Sequence, residues 1–169
     1  MKKVGFFGGC FNPPTNTHLN LAEDLITKGT LDKVVFVPVG DYYEKQDLVP
    51  AIHRYNMLKI ACKDIDSLEV EEIASLHRDK LFATDTFELI YEKYHKEAEI
   101  YFIMGSDNYE KMPTWKNYEE IKDKYKYIIL DRTEDISSTD IRNKIKQGES
   151  VSDYLNEKVL EYIKENNLY

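Results

Sequence analysis

At 169 residues the chain is long enough for one domain with a real core and too short for two comfortable ones. Its composition, 42% apolar and 32% charged, is that of a soluble globular protein and excludes a disordered chain. A formal charge of -8 argues against a broad nucleic-acid-binding face. It leaves room for a phosphorylated small molecule, which needs only local positive potential from a few side chains and helix N-termini.

No apolar run approaches the length of a membrane span, so no membrane partner is expected. The opening Met-Lys-Lys-Val-Gly-Phe-Phe-Gly-Gly is too short for a signal peptide and reads as a strand. Cys10 and Cys62 suggest neither a disulfide framework nor a metal spacing, and a reducing cytoplasm is the expectation.

In chain order the pattern alternates strand and helix. Lys3–Gly8 and Lys33–Pro38 are short apolar runs, as expected of strands buried on both faces. Leu68–Glu71 is a weaker strand, and Ile100–Gly105 and Tyr127–Leu130 complete a set of about five. Between them lie helical periods: Leu21, Ala22, Leu25 and Ile26 before Gly29, then Ile52, Tyr55, Leu58 and Cys62. Phe87, Ile90, Tyr91 and Tyr94 repeat the spacing, and a last helix carries Leu155, Val159, Tyr162 and Ile163. This alternation predicts an α/β fold with a parallel sheet and right-handed crossovers. Ligands of such sheets bind beyond the carboxyl ends of the strands, so a functional motif belongs just after a strand.

The first strand runs into Gly8-Gly9-Cys10-Phe11-Asn12-Pro13-Pro14-Thr15-Asn16-Thr17-His18 and then a helix. Glycines there let backbone N–H groups approach a ligand, and the helix start adds free N–H groups and the positive end of a dipole. Thr15 and His18, three apart, can face one anion; a structural turn with a helix-capping threonine explains the same spacing. Neither the P-loop nor the G-x-G-x-x-G pattern is present, which disfavours a dehydrogenase. In Ile136-Ser137-Ser138-Thr139-Asp140-Ile141-Arg142, Ser137 and Asp140 have the S-x-x-D spacing of a capping box, with Arg142 one turn into the helix. That start is a second anion site or simply a well-capped surface helix. Gly105-Ser106-Asp107 follows a strand directly, and Trp115 is the single tryptophan.

Gly-Gly-x-Phe-Asn-Pro-x-Thr-x-x-His resembles the signature of the nucleotidyltransferase superfamily, whose core is (H/T)-x-G-H, and in particular the nicotinate/nicotinamide mononucleotide adenylyltransferases. The resemblance covers nearly the whole chain. It implies that residues 1–169 form a single nucleotidyltransferase domain with a Rossmann-like fold and helices on both faces of the sheet. His18 matches the histidine that stabilises the α-phosphate in the transition state, and Thr15 the first position of the motif. The third position, normally glycine, is Thr17, which can still cap the helix. Ile-Ser-Ser-Thr-x-Ile-Arg matches the family's second signature, which holds the ATP phosphates, and Gly-x-Asp-x₇-Trp its third.

The resemblance thus implies catalytic roles for His18, Thr15 and Arg142. It implies an ATP site of Gly8, Gly9, Cys10, Phe11, His18, Gly105, Asp107, Ile136, Ser137, Ser138 and Arg142. Lys45, Arg54, Thr84, Asp85 and Trp115 would serve the acceptor, with Trp115 stacking on its pyridine ring and the helix start Ala83-Thr84-Asp85-Thr86, which resembles the family's T-x-D-T element, near its carboxylate or amide. The implied partners are ATP and a pyridine mononucleotide, with Mg²⁺ arriving on the nucleotide. Rival readings are a pantetheine-phosphate adenylyltransferase and a nucleotide-binding regulator without catalysis. Relatives carry a longer connection, usually with another strand, where this chain has only Asp131-Arg132-Thr133-Glu134 before the Ser-Ser-Thr helix. Loss of that edge element is expected to spare the central crevice and to expose a strand edge guarded by Asp131, Arg132, Glu134 and Asp135.

Overall fold

The alternating runs fold, in the computed structural model, into a five-stranded sheet flanked by helices; residues 1–131 and 136–169 are described. The strands are β1 (Lys2–Gly9), β2 (Lys33–Pro38), β3 (Leu68–Val70), β4 (Ala98–Gly105) and β5 (Lys126–Leu130). Their order is β3-β2-β1-β4-β5, and every pairing is parallel. The helices are α1 (Asn16–Thr27), α2 (Ala51–Cys62), α3 (Ala83–Tyr94), α4 (Ser106–Lys111), α5 (Tyr118–Ile121), α6 (Ser138–Lys146) and α7 (Glu157–Glu165). None is long and apolar enough to cross a membrane.

Because successive strand residues point to opposite faces, adjacent phenylalanines of β1 enter different cores. Phe6 joins Val35, Val37, Ile90 and Phe102 on the α3 side. Phe7 joins Phe11, Ala22, Val34, Phe36 and Leu58 on the side of α1 and α2. A third cluster, built from Met57, Ile141, Val151, Leu155, Val159 and Ile163, ties α2, α6 and α7 together. The chain reverses direction across the sheet between β1 and its neighbours β2 and β4. That switch point opens a crevice over their carboxyl ends.

The strands lie where the apolar runs predict them, with β3 ending one residue early at Val70. Glu71 still donates its N–H to Phe36 O, while its carboxylate is buried against the Tyr94 hydroxyl and the Lys93 ammonium. Three expectations need correction. The buried face of α2 is Ala51, Arg54, Met57, Leu58, Ala61 and Cys62; Ile52 is 49% exposed. The stripe is rotated because Arg54, a residue that apolar periodicity cannot see, turns inward. Leu155 lies in the core but ahead of α7, whose first turn is capped by Asn156. The cap of α1 is Thr15 rather than Thr17. Of the charges expected at the β5 edge, Arg132, Glu134 and Asp135 lie outside the described residues, and Asp131 is exposed.

Candidate active site

A cleft of about 570 Å³ lies over the carboxyl ends of β1, β4 and β5, bounded by the first turns of α1, α4 and α6. Gly8 and Gly9 end β1 here. A Cβ on Gly8 would meet nothing within 4 Å, so that backbone is open to a ligand. One on Gly9 would lie 3.2 Å from the Phe11 ring, so the turn is closely packed from behind. Phe11 itself is buried, with φ at 50°, an uncommon left-handed backbone for a bulky residue. Its ring meets His18 edge-on at 5.1 Å between centroids, and Phe7 flanks the same imidazole at 6.3 Å.

His18 is fixed by its own helix. Thr15 N–H donates to His18 Nδ1 at 2.9 Å, and Thr15 Oγ1 accepts from His18 N–H at 3.4 Å, a reciprocal capping box. With Nδ1 accepting, the neutral ring carries its proton on Nε2, the nitrogen left for the cleft that His18 lines. Desolvation among the two phenyl rings lowers the His18 pKa from 6.5 to about 4. At neutral pH this side chain is therefore an uncharged, oriented N–H donor.

A second box opens α6. Asp140 N–H donates to Ser137 Oγ at 3.2 Å, and Asp140 Oδ2 accepts from Ser137 Oγ at 2.8 Å and from its N–H at 3.2 Å. The Ser137 hydroxyl and N–H hold the Asp140 carboxyl below its usual range. Ser138 Oγ donates to Pro13 O at 3.1 Å, which fastens α6 to the turn after β1.

Of the residues selected from sequence, the cleft brings together Gly8, Gly9, Cys10, Phe11, Thr15, His18, Gly105, Asp107, Ile136, Ser137 and Ser138. Phe7, Thr17, Leu21, Leu130 and Asp131 also line it and were not selected. Leu130 and Asp131 carried a usable signal, since they follow a strand. Thr17 puts a side chain on the wall, which bears on how closely a substrate approaches the backbone.

The other selected residues lie elsewhere. Arg142 sits behind the wall with 5% of its surface exposed. Its Nη1 donates to Asn12 O at 2.8 Å and Nη2 to Thr139 Oγ1 at 3.2 Å, while Nε has no partner among the described residues. Arg54 is wholly buried and clamps three backbone carbonyls: Nε donates to Val49 O at 2.9 Å, and Nη1 to Val39 O at 2.7 Å and Cys10 O at 3.1 Å. Its place is the interior, as a brace beneath the loops, rather than the acceptor surface suggested by its motif. Lys45 is exposed in the loop after β2. Asp85 caps α3 by accepting from Phe82 N–H at 2.9 Å. Thr84 is buried, and its Oγ1 has no partner among the described residues. Trp115 is half-buried against the α3-side core, 6.4 Å from the Phe87 ring.

A glycine turn, a helix-start donor and a capped second helix at a sheet switch point define a nucleotide-binding α/β protein. A family model described as cytidylyltransferase-like matches residues 6–144. A Clostridium tetani protein assigned as a nicotinate-nucleotide adenylyltransferase is 31% identical over 200 aligned positions, taking in 100% of both chains. A Clostridium acetobutylicum protein with the same assignment is 32% identical at the same coverage. The chain belongs to the cytidylyltransferase-like family and, within it, to the nicotinate-nucleotide adenylyltransferases. Aligning 169 residues over 200 positions means that the relatives carry residues without a counterpart here. Among solved structures, a Vibrio parahaemolyticus protein with that assignment superposes with a TM-score of 0.80 at 27% identity, covering 100% of this chain and 96% of that one. The Plasmodium falciparum nicotinic acid mononucleotide adenylyltransferase complexed with NaAD superposes with a TM-score of 0.77 over 100% of this chain and 98% of its own; at 20% identity this is a likeness of fold.

Proposed function

We propose that the protein transfers the adenylyl group of ATP to nicotinate or nicotinamide mononucleotide, in NAD biosynthesis. A phosphate oxygen of the acceptor attacks the α-phosphorus in line. The new O–P bond forms as the bond to the β-phosphate oxygen breaks, and pyrophosphate leaves with that electron pair. The acceptor phosphate is already ionised at neutral pH, so no general base is required. Positioning and stabilisation of spread negative charge supply most of the acceleration.

One observation carries this reading: His18 is a neutral donor, oriented by Thr15, beside an open glycine turn. Such a group gives its N–H to a non-bridging α-phosphate oxygen without reorganising. Arg142 contributes by holding the Asn12 carbonyl and with it the turn. Lys45, Thr84, Asp85 and Trp115 belong to the acceptor side of the reading.

Among the described residues that line the cleft, Asp107, Asp131 and Asp140 are acidic and none is lysine or arginine. The triphosphate charge is then met by the N-termini of α1 and α6 and by Mg²⁺. No cluster of three or more candidate metal-binding side chains occurs among the described residues. Mg²⁺ would arrive on the triphosphate, and Asp107 and Asp131, which line the cleft, are the carboxylates that would serve it there. Both cysteines are free thiols, which supports placement in a reducing cytoplasm.

Pyrophosphate release measured with ATP and each of nicotinate mononucleotide, nicotinamide mononucleotide and 4′-phosphopantetheine tests the proposal. The highest kcat/KM is expected with one of the pyridine mononucleotides. Preference for phosphopantetheine would retain the chemistry and replace the acceptor. Inactivity with all three, together with ATP binding, would make the protein a nucleotide-binding regulator.

A further inference from the structure

The turn between β1 and α1 is tied down from two distant stretches of the sequence, residues 47–54 and the C-terminal end. Asn12, 2% exposed, is the hub. Its Oδ1 accepts from the Tyr169 hydroxyl at 2.6 Å and from Val49 N–H at 3.3 Å; its Nδ2 donates to Asp47 O at 2.8 Å. Its main-chain oxygen accepts from Arg142. Four residues on, Asn16 N–H, at the first position of α1, donates to Tyr154 O at 2.8 Å, and Asn16 Nδ2 to Asp153 O at 3.4 Å. The chain bends sharply to bring the phenol in: Asn167 and Tyr169 both have φ in the left-handed region, at 52° and 62°. Tyr169 also packs against the cluster that joins α2, α6 and α7. Burial raises its phenol to a pKa beyond any ordinary working pH, so it is a permanent O–H donor.

This arrangement touches both halves of the proposed reaction. Asn12 lies three residues before Thr15, which orients His18, while Asp47 and Val49 belong to the loop that carries Lys45. One amide side chain therefore sets the spacing between the α-phosphate donor and the acceptor loop. The match to the family model ends at residue 144, so Tyr154 and Tyr169 lie beyond it.

We infer that Tyr169 is a positioning residue for adenylyl transfer, acting through Asn12 on the Thr15–His18 turn and on the 41–50 loop. The inference rests on the function proposed above. A hydroxyl that fixes an amide rotamer in a buried hub removes a rotational choice that the turn would otherwise sample. The loss should therefore appear in kcat more than in folding.

The test is Tyr169→Phe, which keeps the ring in its apolar seat and removes only the donor. The expected result is a kcat roughly tenfold lower, with ATP and acceptor KM within about twofold, a melting temperature close to native and an unchanged pH profile. In an Asn12→Ala background the same substitution should have no further effect, since the path runs through that amide. Amide exchange at Thr15, Asn16 and His18 should quicken in Tyr169→Phe, a readout independent of turnover. A folded Tyr169→Phe enzyme with kcat within twofold of native overturns the inference, and so does a full tenfold loss in the Asn12→Ala background. If the native protein turns over none of the acceptors, the function fails while the exchange rates still decide. Faster exchange then sustains the positioning of the turn, and unchanged exchange removes it.

Discussion

The cleft and the region proposed for the acceptor are built differently. On the nucleotide side, Thr15 with His18 and Ser137 with Asp140 pair three residues apart, and the turn between them is held by Asn12, Arg142 and Ser138. The residues proposed for the acceptor lie apart from the cleft lining. Lys45 is exposed, the Thr84 hydroxyl is buried without a partner among the described residues, and nearby Phe82 stands 40% exposed with the Lys80 and Lys116 ammonium groups 5.3 and 4.8 Å from its ring. Reciprocal local bonds hold the first region, whereas the second keeps one buried hydroxyl unpaired among the described residues.

The largest effect that would break this contrast is at His18. His18→Ala should lower kcat by roughly 10²-fold or more, as loss of a preorganised donor does. Folding should suffer only by about 1 kcal/mol, the size of a lost cap. Near-native turnover would leave the ordered half of the cleft without a catalytic task.

Trp115 probes the other half. Stacking on an aromatic side chain is worth about 1–3 kcal/mol per base. Trp115→Ala should raise acceptor KM by roughly 5- to 150-fold on that scale and leave ATP KM alone. Acceptor titration should also quench the fluorescence of this single tryptophan. Unquenched fluorescence with an unchanged KM would return the residue to the core around Phe87.

Thr84→Val sharpens the contrast further. An unsatisfied buried polar group costs about 1–3 kcal/mol, so replacing this hydroxyl by a methyl should raise stability even as acceptor KM rises several-fold. A lower melting temperature would show that the hydroxyl is already satisfied in the free protein.

The smallest effect is electrostatic. His18 has its pKa lowered to about 4 in the folded chain, against 6.5 unperturbed. Between those values the unfolded chain binds a proton that the folded one does not, so stability is complete above about pH 6.5 and declines as pH falls towards 4. Melting temperature against pH should show that decline in the native protein and less of it in His18→Gln. The free enzyme's kcat/KM should show no histidine inflection near 6.5. Finding one would mean that the imidazole is solvated and that the nucleotide side is looser than its bonds imply.

Apolar runs such as Val-Val-Phe-Val were enough to locate β1, β2 and β4, because strands covered on both faces leave no other pattern. The Ser137–Asp140 box was legible too, since its acceptor is an acidic residue at the usual spacing. Thr15–His18 has the same spacing, but a histidine in the acceptor role hid the reciprocity. Arg54 was misjudged because guanidinium burial depends on carbonyls supplied by Cys10, Val39 and Val49, which are brought together only by folding. Tyr169 closes the stretch over which the family resemblance runs, but its partner is 157 positions away, and nothing local marks a tyrosine as the donor to a distant amide.

The box at the start of α1 has a mechanical consequence. Its bonds span one helical turn, so the imidazole and its carrier move as one rigid body. A fault anywhere in the distant supports shifts the whole lever and does not spin the ring upon it. Damage to those supports should therefore be felt as misplacement of a correctly protonated donor, never as the wrong proton on the right nitrogen.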